Sequence, residues 1–526
     1  MAGSDLARQA RLVAALRDPA RFSHPVAAIE VIETHISWVI LTGDFAYKIK
    51  KAVDLGFLNF TTLARREHYC REELRLNRRL APDWYLDVVP ITGDVDAPGV
   101  AQPGEPIEWA VRMREFERGA ELSRLLSTGA VTAPMIDEIA ERIAAFHAAC
   151  PSDTAADGHG GAQAVHRPVR NNFATLRRRL VDPDLQALLE RLRLWSEAQH
   201  RQLIPTLEAR RAGGFVREGH GDLHLGNIAL DRGRLLIFDC IEFDPGLRWV
   251  DVMSEIAFVV MDLTYRGRPD FARRLLNRYL ERSGDYAGVA VLRYYLVYRA
   301  LVRASVAAIR GGQGESKADM DAEVRGYLAC AERLAQGAPL ALLITHGVAG
   351  SGKTTVTSAL LEAVDLIRIR SDVERKRLAG MTPASRSAST VDGGFYTVEA
   401  RRLTYERLRA LAIDVLRAGY PVVLDATFLD RDERDACRSC ARSAGARFRI
   451  LACRADAGVL RERVASRSRV GQDASEADLP VLARQLEGET QLDGSELSEA
   501  IVIDTSQAVD GHALAAALGL SEDRAR

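Results

Sequence analysis

The stretch LALLITHGVAGSGKTT, residues 340–355, decides the fold of the C-terminal part of the chain. Its apolar first half is bounded by glycine and predicts a buried strand of a parallel sheet. Its second half fits GxxxxGK[ST], the Walker A pattern, in which glycines let backbone N–H groups turn towards phosphates at a helix N-terminus. A strand before the glycines and a helix after them are the context that confirms this motif. The stretch therefore predicts a P-loop.

Each polar position of the loop has a predicted role. Lys353 reaches the β- and γ-phosphates of ATP, and the hydroxyl of Thr354 holds Mg²⁺. The predicted phosphate-binding residues are Gly347, Gly350, Ser351, Gly352, Lys353, Thr354 and Thr355.

Strands alternate with helices on both sides of the loop, which predicts a doubly wound parallel sheet. The candidate strands are Ala341–Thr345, Ile367–Arg370, Pro421–Asp425 and Arg447–Cys453. A Gly-rich segment at residues 311–319 and the Gly-Ala-Pro at residues 337–339 precede the first of them. We therefore predict two domains, at residues 1–336 and 337–526.

Acceptor-binding residues are predicted where strands of this sheet end, because ligands bind at the carboxyl ends of parallel strands. Asp372 is placed there to take a proton from a hydroxyl, and Arg375 follows one turn later to hold an anionic group. Asp425 suits the metal or its water, with capping of the next helix as the alternative. Arginines of a later helix suit a lid over the phosphate, although a solvated basic face explains some of them equally well: Arg461, Arg463, Arg467 and Arg469.

A second constellation lies in the N-terminal part, at HGDLHLGN, residues 220–227, followed by LLIFD, residues 235–239. Asp222 can take a hydroxyl proton, while Asn227 and Asp239 can hold Mg²⁺ on the phosphates, and these are the parts that kinase chemistry needs. The acids that follow, Glu242 and Asp244, are either further metal or substrate contacts or solvated loop acids.

Residues 30–310, roughly, resemble the aminoglycoside phosphotransferase and choline kinase superfamily. The resemblance implies an α+β, bilobal, protein-kinase-like fold, with Asp222 as catalytic base and Asn227 and Asp239 as metal ligands. It places the ATP lysine at Lys48, with Lys50 as the alternate.

The same resemblance implies an acidic partner for that lysine on the helix predicted at Arg65–Leu80. Glu73 is the first candidate and Glu72 is nearly as well placed. No GxGxxG precedes the lysine, and Thr34–Ser37 stands where the phosphate-covering loop is expected. Ser37 is therefore a predicted ATP contact.

Residues 340–510, roughly, resemble P-loop kinases of the gluconate-kinase-like and zeta-toxin-like groups, and Ser371–Arg375 resembles the 5′-hydroxyl kinase of polynucleotides. In the latter the matching Asp is the base and the matching Arg grips a substrate phosphate. The whole chain is similar to bacterial fusions of an aminoglycoside-phosphotransferase-like domain with a P-loop domain.

The composition limits the kinds of binding partner that the sequence predicts. The net charge is −1 and 27% of residues are charged, which argues against a large nucleic-acid surface, although a 5′-hydroxyl nucleic-acid kinase stays open for the P-loop domain. The N-terminus lacks an apolar segment of signal-peptide length, and no run of about 20 apolar residues predicts a membrane span. We expect a cytoplasmic protein.

These observations predict a bifunctional kinase that uses ATP and Mg²⁺, with small-molecule hydroxyl acceptors. The alternative from another class is that the P-loop domain is a nucleotide-dependent regulator of the kinase-like domain. The sequence leaves both acceptors and the oligomeric state open.

Overall fold

A computed structural model describes the chain over residues 2–56, 58–153, 158–310, 317–382, 385, 397–470, 477–488 and 490–520. The chain forms two compact units. The first comprises Met1–Thr132, Phe146–Pro168 and Leu207–Val259, and the second comprises Ala133–Ala145, Val169–Thr206 and Val260–Arg526. The predicted division near residue 337 does not coincide with these units, because the second begins its last segment at Val260. As a boundary between domains, residue 337 stays a prediction.

The first unit contains a six-stranded antiparallel sheet with the strand order β1-β2-β3-β6-β4-β5. Its strands are β1 (Glu30–Glu33), β2 (Ser37–Leu41), β3 (Phe45–Lys50), β4 (Tyr85–Asp94), β5 (Ala97–Val100) and β6 (Pro106–Arg114). β2 and β3 form a hairpin around Gly43, which has the φ of 96° that its tight turn requires. Apolar residues of these strands, including Ile40, Ile49 and Ile91, pack on one face of the sheet.

Four short strands complete this unit as two antiparallel pairs. The strands are β7 (Val216–Glu218), β8 (Ile228–Asp231), β9 (Arg234–Ile237) and β10 (Trp249–Asp251). β7 pairs with β10, and β8 pairs with β9. The β8–β9 pair places the two candidate metal ligands, Asn227 and Asp239, at adjacent strand ends.

The second unit contains a five-stranded parallel sheet with the order β12-β13-β11-β14-β15. Its strands are β11 (Ala341–His346), β12 (Ile367–Arg370), β13 (Val422–Asp425), β14 (Arg447–Arg454) and β15 (Ala500–Asp504). All six residues of β11 are buried, as expected for a central parallel strand covered on both faces. The predicted α/β fold with a doubly wound parallel sheet is confirmed.

The helices account for most of the remaining chain. They are α1 (Ala2–Ala15), α2 (Leu63–Asn77), α3 (Leu122–Ser127), α4 (Ala133–Ala149), α5 (Ala162–Arg179), α6 (Pro183–Ala212), α7 (Pro245–Arg248), α8 (Val252–Tyr265), α9 (Pro269–Ser283), α10 (Val289–Arg310), α11 (Lys317–Ala335), α12 (Lys353–Ala363), α13 (Ser371–Leu378), α14 (Val398–Arg417), α15 (Arg431–Ser443), α16 (Ala457–Val470), α17 (Leu479–Glu487), α18 (Gly494–Glu499) and α19 (Gly511–Leu518). None of the helices among the described residues has the length and apolar character needed to cross a membrane.

Candidate active sites

Two lysines of β3 meet one glutamate of α2 in the first unit. Lys48 Nζ lies 2.8 Å from Glu73 Oε1 and 2.5 Å from Asp239 Oδ1. Lys50 Nζ lies 2.7 Å from Glu73 Oε2 and also contacts the Glu242 carboxylate. Residues two apart on a strand share a face, so both lysines reach the same carboxylate.

Opposite charges keep this buried cluster ionised. Burial opposes the charge of Glu73, but Lys48 and Lys50 lower its pKa to about 2. Burial likewise opposes the charge of Lys48, but Asp239 and Glu73 raise its pKa well above the ordinary value. Burial raises the pKa of Glu242. The cluster therefore holds a fixed lysine charge beside Asp239, the predicted metal ligand.

The geometry distinguishes Glu73 from its neighbour. Glu72 Oε2 accepts a 2.9 Å hydrogen bond from Arg75 Nη2 on the same helix. Glu73 is fully buried and faces the lysines. The two lysines differ in their second carboxylate partner, since Lys48 contacts Asp239 and Lys50 contacts Glu242.

The catalytic-loop candidates lie together in the segment before β8. Asn227 Nδ2 donates to the backbone oxygen of Asp222 at 2.9 Å and to its carboxylate Oδ2 at 3.2 Å. His224 Nε2 lies 3.4 Å from the same carboxylate oxygen. The Asp222 side chain is 37% exposed, so its carboxylate is open to an acceptor.

A buried histidine and a glycine shape this loop from within. His220 is inaccessible; its Nε2 lies 2.8 Å from the Phe238 carbonyl oxygen and its Nδ1 accepts the Asp222 N–H at 3.3 Å. The carbonyl accepts, so the proton is on Nε2. Burial lowers the pKa of His220, which fits this neutral form. Gly221 has a φ of 87°, and a Cβ there would lie 2.9 Å from the Leu247 carbonyl oxygen, so glycine is required.

Glu255 of α8 accepts hydrogen bonds from the backbone of this loop, a role that was not predicted from the sequence. Its carboxylate accepts the backbone N–H groups of His220, at 2.8 and 2.9 Å, and of Gly221. His147 Nε2 lies 3.1 Å from the same carboxylate. Burial opposes the charge of Glu255, but the contacts with His147 and His220 lower its pKa to about 2.

Ser37 begins β2, directly after the turn that follows β1. Its side chain is buried, and its hydroxyl lies 2.9 Å from the Thr34 hydroxyl. The Thr34 hydroxyl also accepts the Ser37 N–H at 3.0 Å. The segment expected to cover the phosphates is thus a hydrogen-bonded hairpin turn, and the contact of Ser37 with ATP stays a prediction.

In the second unit, the P-loop lies between β11 and α12, as predicted. Lys353 Nζ donates to the carbonyl oxygens of Gly347 at 3.0 Å and Val348 at 2.8 Å. Gly347, Gly350 and Gly352 have φ values of 138°, 81° and 81°. An added Cβ at Gly347 would lie 2.5 Å from the Cys453 carbonyl oxygen, so the loop admits no side chain there. Ser351 is buried and Thr355 is exposed.

Thr354 and Asp425 meet at the end of the loop. Thr354 Oγ1 donates to Asp425 Oδ2 at 2.9 Å, and Thr357 Oγ1 lies 3.3 Å from the same oxygen. The alternative role of Asp425 as a helix cap is wrong, because the next helix, α15, is capped by Asp430. Asp425 is buried at the carboxyl end of β13, where a magnesium-bound water is expected.

Asp372 lies in the first turn of α13, two residues beyond the carboxyl end of β12, which agrees with its predicted place at that strand end. Its Oδ2 accepts a hydrogen bond from Arg370 Nη2 at 2.7 Å. Burial opposes the charge of Asp372, but the positive charges of Arg370 and Arg375 lower its pKa. The structure thus brings Asp372 and Arg375 together beside a second arginine that the sequence argument did not assign.

The lid arginines have a mixed outcome. Arg463 Nη2 donates to the Thr505 carbonyl oxygen at 2.7 Å, and its Nη1 donates to the Gly350 carbonyl oxygen at 3.3 Å. Arg463 therefore ties β15 to the P-loop backbone. The side chains of Arg467 and Arg469 fall outside the described residues, and the role of either Arg463 or Arg467 in ATP binding stays a prediction.

A cavity of about 190 Å³ opens beside Thr354. It lies between α12, β12, α9 and the N-terminal half of α4, and nearly all of its lining is polar or charged. The lining residues are Asp137, Arg274, Asn277, Arg278, Glu281, Thr354, Ser358, Leu361, Glu362, Arg368 and Arg370.

Comparisons with known proteins agree with this arrangement. The model of a phosphotransferase enzyme family matches residues 58–292, and the model of an AAA domain matches residues 342–492. Uncharacterized proteins of Mycobacterium tuberculosis and Mycobacterium bovis are 31% identical over 475 residues, which is 89% of this chain and 93% of theirs. The chain belongs to the family of these mycobacterial proteins.

This chain combines a domain that matches a phosphotransferase enzyme family with a P-loop domain that matches an AAA domain. The chain is therefore a phosphotransferase, an enzyme that transfers phosphate to a hydroxyl group.

Solved structures similar to parts of the chain include a choline/ethanolamine kinase family protein of Mesorhizobium loti, at 14% identity and a TM-score of 0.37, covering 62% of this chain and 94% of that one. The APS kinase of Mycobacterium tuberculosis, in complex with AMPPNP and APS, has 18% identity and a TM-score of 0.25, covering 35% and 98%.

Proposed function

We propose that the chain is a bifunctional kinase in which each site uses ATP and Mg²⁺ to phosphorylate a hydroxyl group of a small molecule. The observation that carries this proposal is that each compact unit contains its own lysine, its own acidic base candidate and its own pair of oxygen-bearing side chains suited to a metal. The first set comprises Lys48, Asp222, Asn227 and Asp239, and the second comprises Lys353, Asp372, Thr354 and Asp425.

In the kinase-like site the donor groups fit magnesium. Asn227 uses its Nδ2 on Asp222, so its amide oxygen is the atom left for a metal, and Asp239 supplies a carboxylate oxygen. Oxygen ligands of this kind, with substrate phosphates completing the shell, are what Mg²⁺ prefers. Magnesium would neutralise charge on the phosphates, while Lys48 binds them and Asp222 accepts the acceptor's proton.

In the P-loop site the same chemistry would use backbone groups. The glycine N–H groups and Lys353 bind the phosphates, Thr354 ligates Mg²⁺, and Asp425 holds Thr354 or a metal-bound water. Asp372 takes the proton of the acceptor hydroxyl, and Arg375 binds its anionic group. An ionised carboxylate beside the phosphates repels them, and a nucleotide switch has no use for one. Asp372 therefore supports a kinase over a regulator.

The seven cysteines are all free thiols. This state fits a reducing compartment, so the proposed place of action is the cytoplasm, where ATP is available.

Two nucleotide sites are tested on the intact chain by calorimetry with a non-hydrolysable ATP analogue and Mg²⁺. We expect two sites, of which Lys353→Ala removes one and Asp239→Ala weakens the other. A stoichiometry of one that neither substitution changes would refute the two-site proposal.

The variant Asp372→Asn distinguishes a kinase function of the P-loop domain from a regulatory one. A kinase with that variant keeps its nucleotide affinity and loses about 10²–10⁴-fold in transfer by the P-loop site, the usual contribution of a general base. A regulator keeps its activity in that variant, and Lys353→Ala then changes the rate of the kinase-like site.

A further inference from the structure

Helix α9 covers the edge of the P-loop sheet. β12 is the outermost strand on one side of that sheet. Asn277 of α9 imitates a neighbouring strand there, since its Nδ2 donates to the Leu366 carbonyl oxygen at 3.0 Å and its Oδ1 accepts the Arg368 N–H at 2.8 Å. Unpaired edge groups are a liability in any sheet, and this buried side chain satisfies two of them.

One turn further along α9, Glu281 forms a buried ion pair with Arg368 of β12. Glu281 Oε1 lies 3.0 Å from Arg368 Nε and 2.7 Å from its Nη2. The two residues are 2% and 8% exposed, so neither charge is solvated. The remaining nitrogen, Nη1, donates to Ser358 Oγ at 2.8 Å and to Thr357 Oγ1 at 3.3 Å on α12.

The contact with Arg368 limits the acceptors to which the Thr357 hydroxyl can donate. A guanidinium has donors only, so Thr357 Oγ1 must accept from Arg368 and send its own proton elsewhere. The oxygens within reach are the Thr354 carbonyl oxygen at 3.2 Å and Asp425 Oδ2 at 3.3 Å. A chain of buried contacts thus runs from Glu281 through Arg368 and Thr357 to the Thr354–Asp425 pair.

The same helix, α9, also contacts α13, which carries the proposed acceptor-binding residues. Arg377 Nη2 donates to the Glu281 carbonyl oxygen at 2.6 Å, at the C-terminal end of α9, where a cation is favoured. Arg377 belongs to α13, the helix that carries Asp372. Residues of α9 and Thr354 line a common cavity. The C-terminal turn of α9 therefore contacts both halves of the P-loop site.

We propose that Glu281 and Arg368 are positioning residues of the P-loop site, which orient Asp425 through Thr357 for its metal-bound state. The proposal rests on the nucleotide site proposed above. It gives a role in the P-loop site to a helix that lies within the phosphotransferase match, residues 58–292, and outside the match to the AAA domain, residues 342–492.

The test is the Mg²⁺ dependence of nucleotide binding by the intact chain. A non-hydrolysable ATP analogue is titrated over a wide range of Mg²⁺ concentrations, and the binding component that Lys353→Ala removes is followed. Glu281→Gln keeps the shape and an acceptor for Arg368 but removes the charge. We expect it to raise the Mg²⁺ concentration for half-maximal binding about tenfold or more, the usual effect of altering a partner of a metal ligand.

Two further variants report on the hydroxyl that completes the chain of contacts. Thr357→Val removes the hydroxyl and keeps the Glu281–Arg368 pair, and should raise the Mg²⁺ requirement in the same direction. Thr357→Ser keeps the hydroxyl and should restore the wild-type requirement. A packing role alone would give the opposite order, because valine keeps the shape of threonine and serine does not.

The control is Asp365→Asn. Asp365 Oδ1 lies 2.5 Å from Arg273 Nε of α9, and the Asp365 side chain is half-exposed. Among the described hydrogen bonds, Asp365 makes none with Thr357. It should leave the Mg²⁺ requirement unchanged.

Wild-type Mg²⁺ dependence in both Glu281→Gln and Thr357→Val would overturn the proposal. If Glu281→Gln does not fold, the valine and serine variants decide alone. If Lys353→Ala leaves nucleotide binding unchanged, the P-loop assignment and this inference are overturned together. If Lys353→Ala removes the P-loop binding component but Glu281→Gln and Thr357→Val keep the wild-type Mg²⁺ requirement, only this inference is overturned.

Discussion

The two phosphate sites place a lysine by opposite means. In the kinase-like site, Lys48 is held by the carboxylates of Glu73, which is buried, and Asp239, which is partly exposed. In the P-loop site, Lys353 is held by the carbonyl oxygens of Gly347 and Val348. One site is organised by side-chain charges that come from distant parts of the chain, the other by the backbone of a single loop.

This difference determines which substitutions each site tolerates. A site built from paired charges is sensitive to the loss of one charge, even when shape is preserved. A site built from backbone N–H groups cannot accept a Cβ where the chain has a left-handed φ. The two kinds of substitution should therefore damage different sites in the same molecule.

The largest expected effect comes from a change at the catalytic loop. Asp222→Asn preserves shape and leaves the Lys48 cluster in place, so nucleotide affinity should be retained while transfer by the kinase-like site falls about 10²–10⁴-fold. Phosphoryl transfer and analogue binding are measured on the intact chain. The matched control is Asp244→Asn, an acid of the same region that caps α7, and it should retain transfer. Equal losses in both variants would contradict the role of Asp222.

The next effect tests the backbone-built site. Gly347→Ala introduces a Cβ at 2.5 Å from the Cys453 carbonyl oxygen and a strained φ of 138°. Strain of this kind costs about 1–3 kcal/mol, so nucleotide affinity at the P-loop site should fall about 5- to 150-fold. Calorimetry should show the kinase-like site unchanged.

Gly458→Ala serves as its control, because a Cβ there meets nothing within 4 Å. If that control weakened the P-loop site equally, the damage would come from something other than loop geometry.

A smaller effect tests the charge-built site. Glu73→Gln removes one charge from the cluster, but Asp239 and Glu242 remain as partners for the two lysines. We expect the KM for ATP of the kinase-like site to rise about tenfold, equivalent to roughly 1.4 kcal/mol, with P-loop binding intact. Glu72→Gln, one residue away and paired with Arg75, should leave this KM unchanged. A larger effect from Glu72 would reverse the assignment of the two glutamates.

The smallest effect is a pH dependence of stability. The pKa of Glu73 falls from 4.5 to about 2 on folding, so the folded state favours its ionised form. A depressed folded pKa contributes stability that is fully present above about pH 4.5 and is lost as the pH falls towards 2. The unfolding midpoint of the wild-type chain should therefore decline more steeply over this window than that of Glu73→Gln. Parallel curves would show that the cluster does not carry this linkage.

The parts that sequence reasoning predicted are local in the chain. The P-loop glycines and the Asp222–Asn227 spacing each lie within one short segment, where backbone requirements and residue types correspond directly. Asp372 follows the carboxyl end of β12 as the local pattern indicates, but the pattern does not show that α13 begins directly after Arg370, because this helix has no side-chain cap. A helix start of that kind leaves no signal in the sequence.

The parts that were missed depend on contacts between distant residues. Glu255 holds the N–H of His220 from 35 residues away, and Glu281 pairs with Arg368 across 87 residues. Glu281 has the local pattern of a solvated helix residue, and Glu255 lies in the apolar segment VMSEIAFVV, which indicates burial but not its partner. Only the packing of α8 and α9 distinguishes them, and that packing is a property of the folded chain.

The hydrogen bonds of Asn277 to the edge of β12 bear on how such a chain can be recombined during evolution. A crossover at residue 337 would transfer the P-loop sheet without α9, leaving β12 with bare edge groups and Arg368 with a buried charge that has lost its counter-ion. Unpaired edges favour aggregation, and uncompensated buried charges destabilise a fold by several kcal/mol, about 3–5 in measured cases. We therefore expect viable crossovers in this family to fall before Pro269, so that the P-loop sheet is inherited together with the helix that protects it.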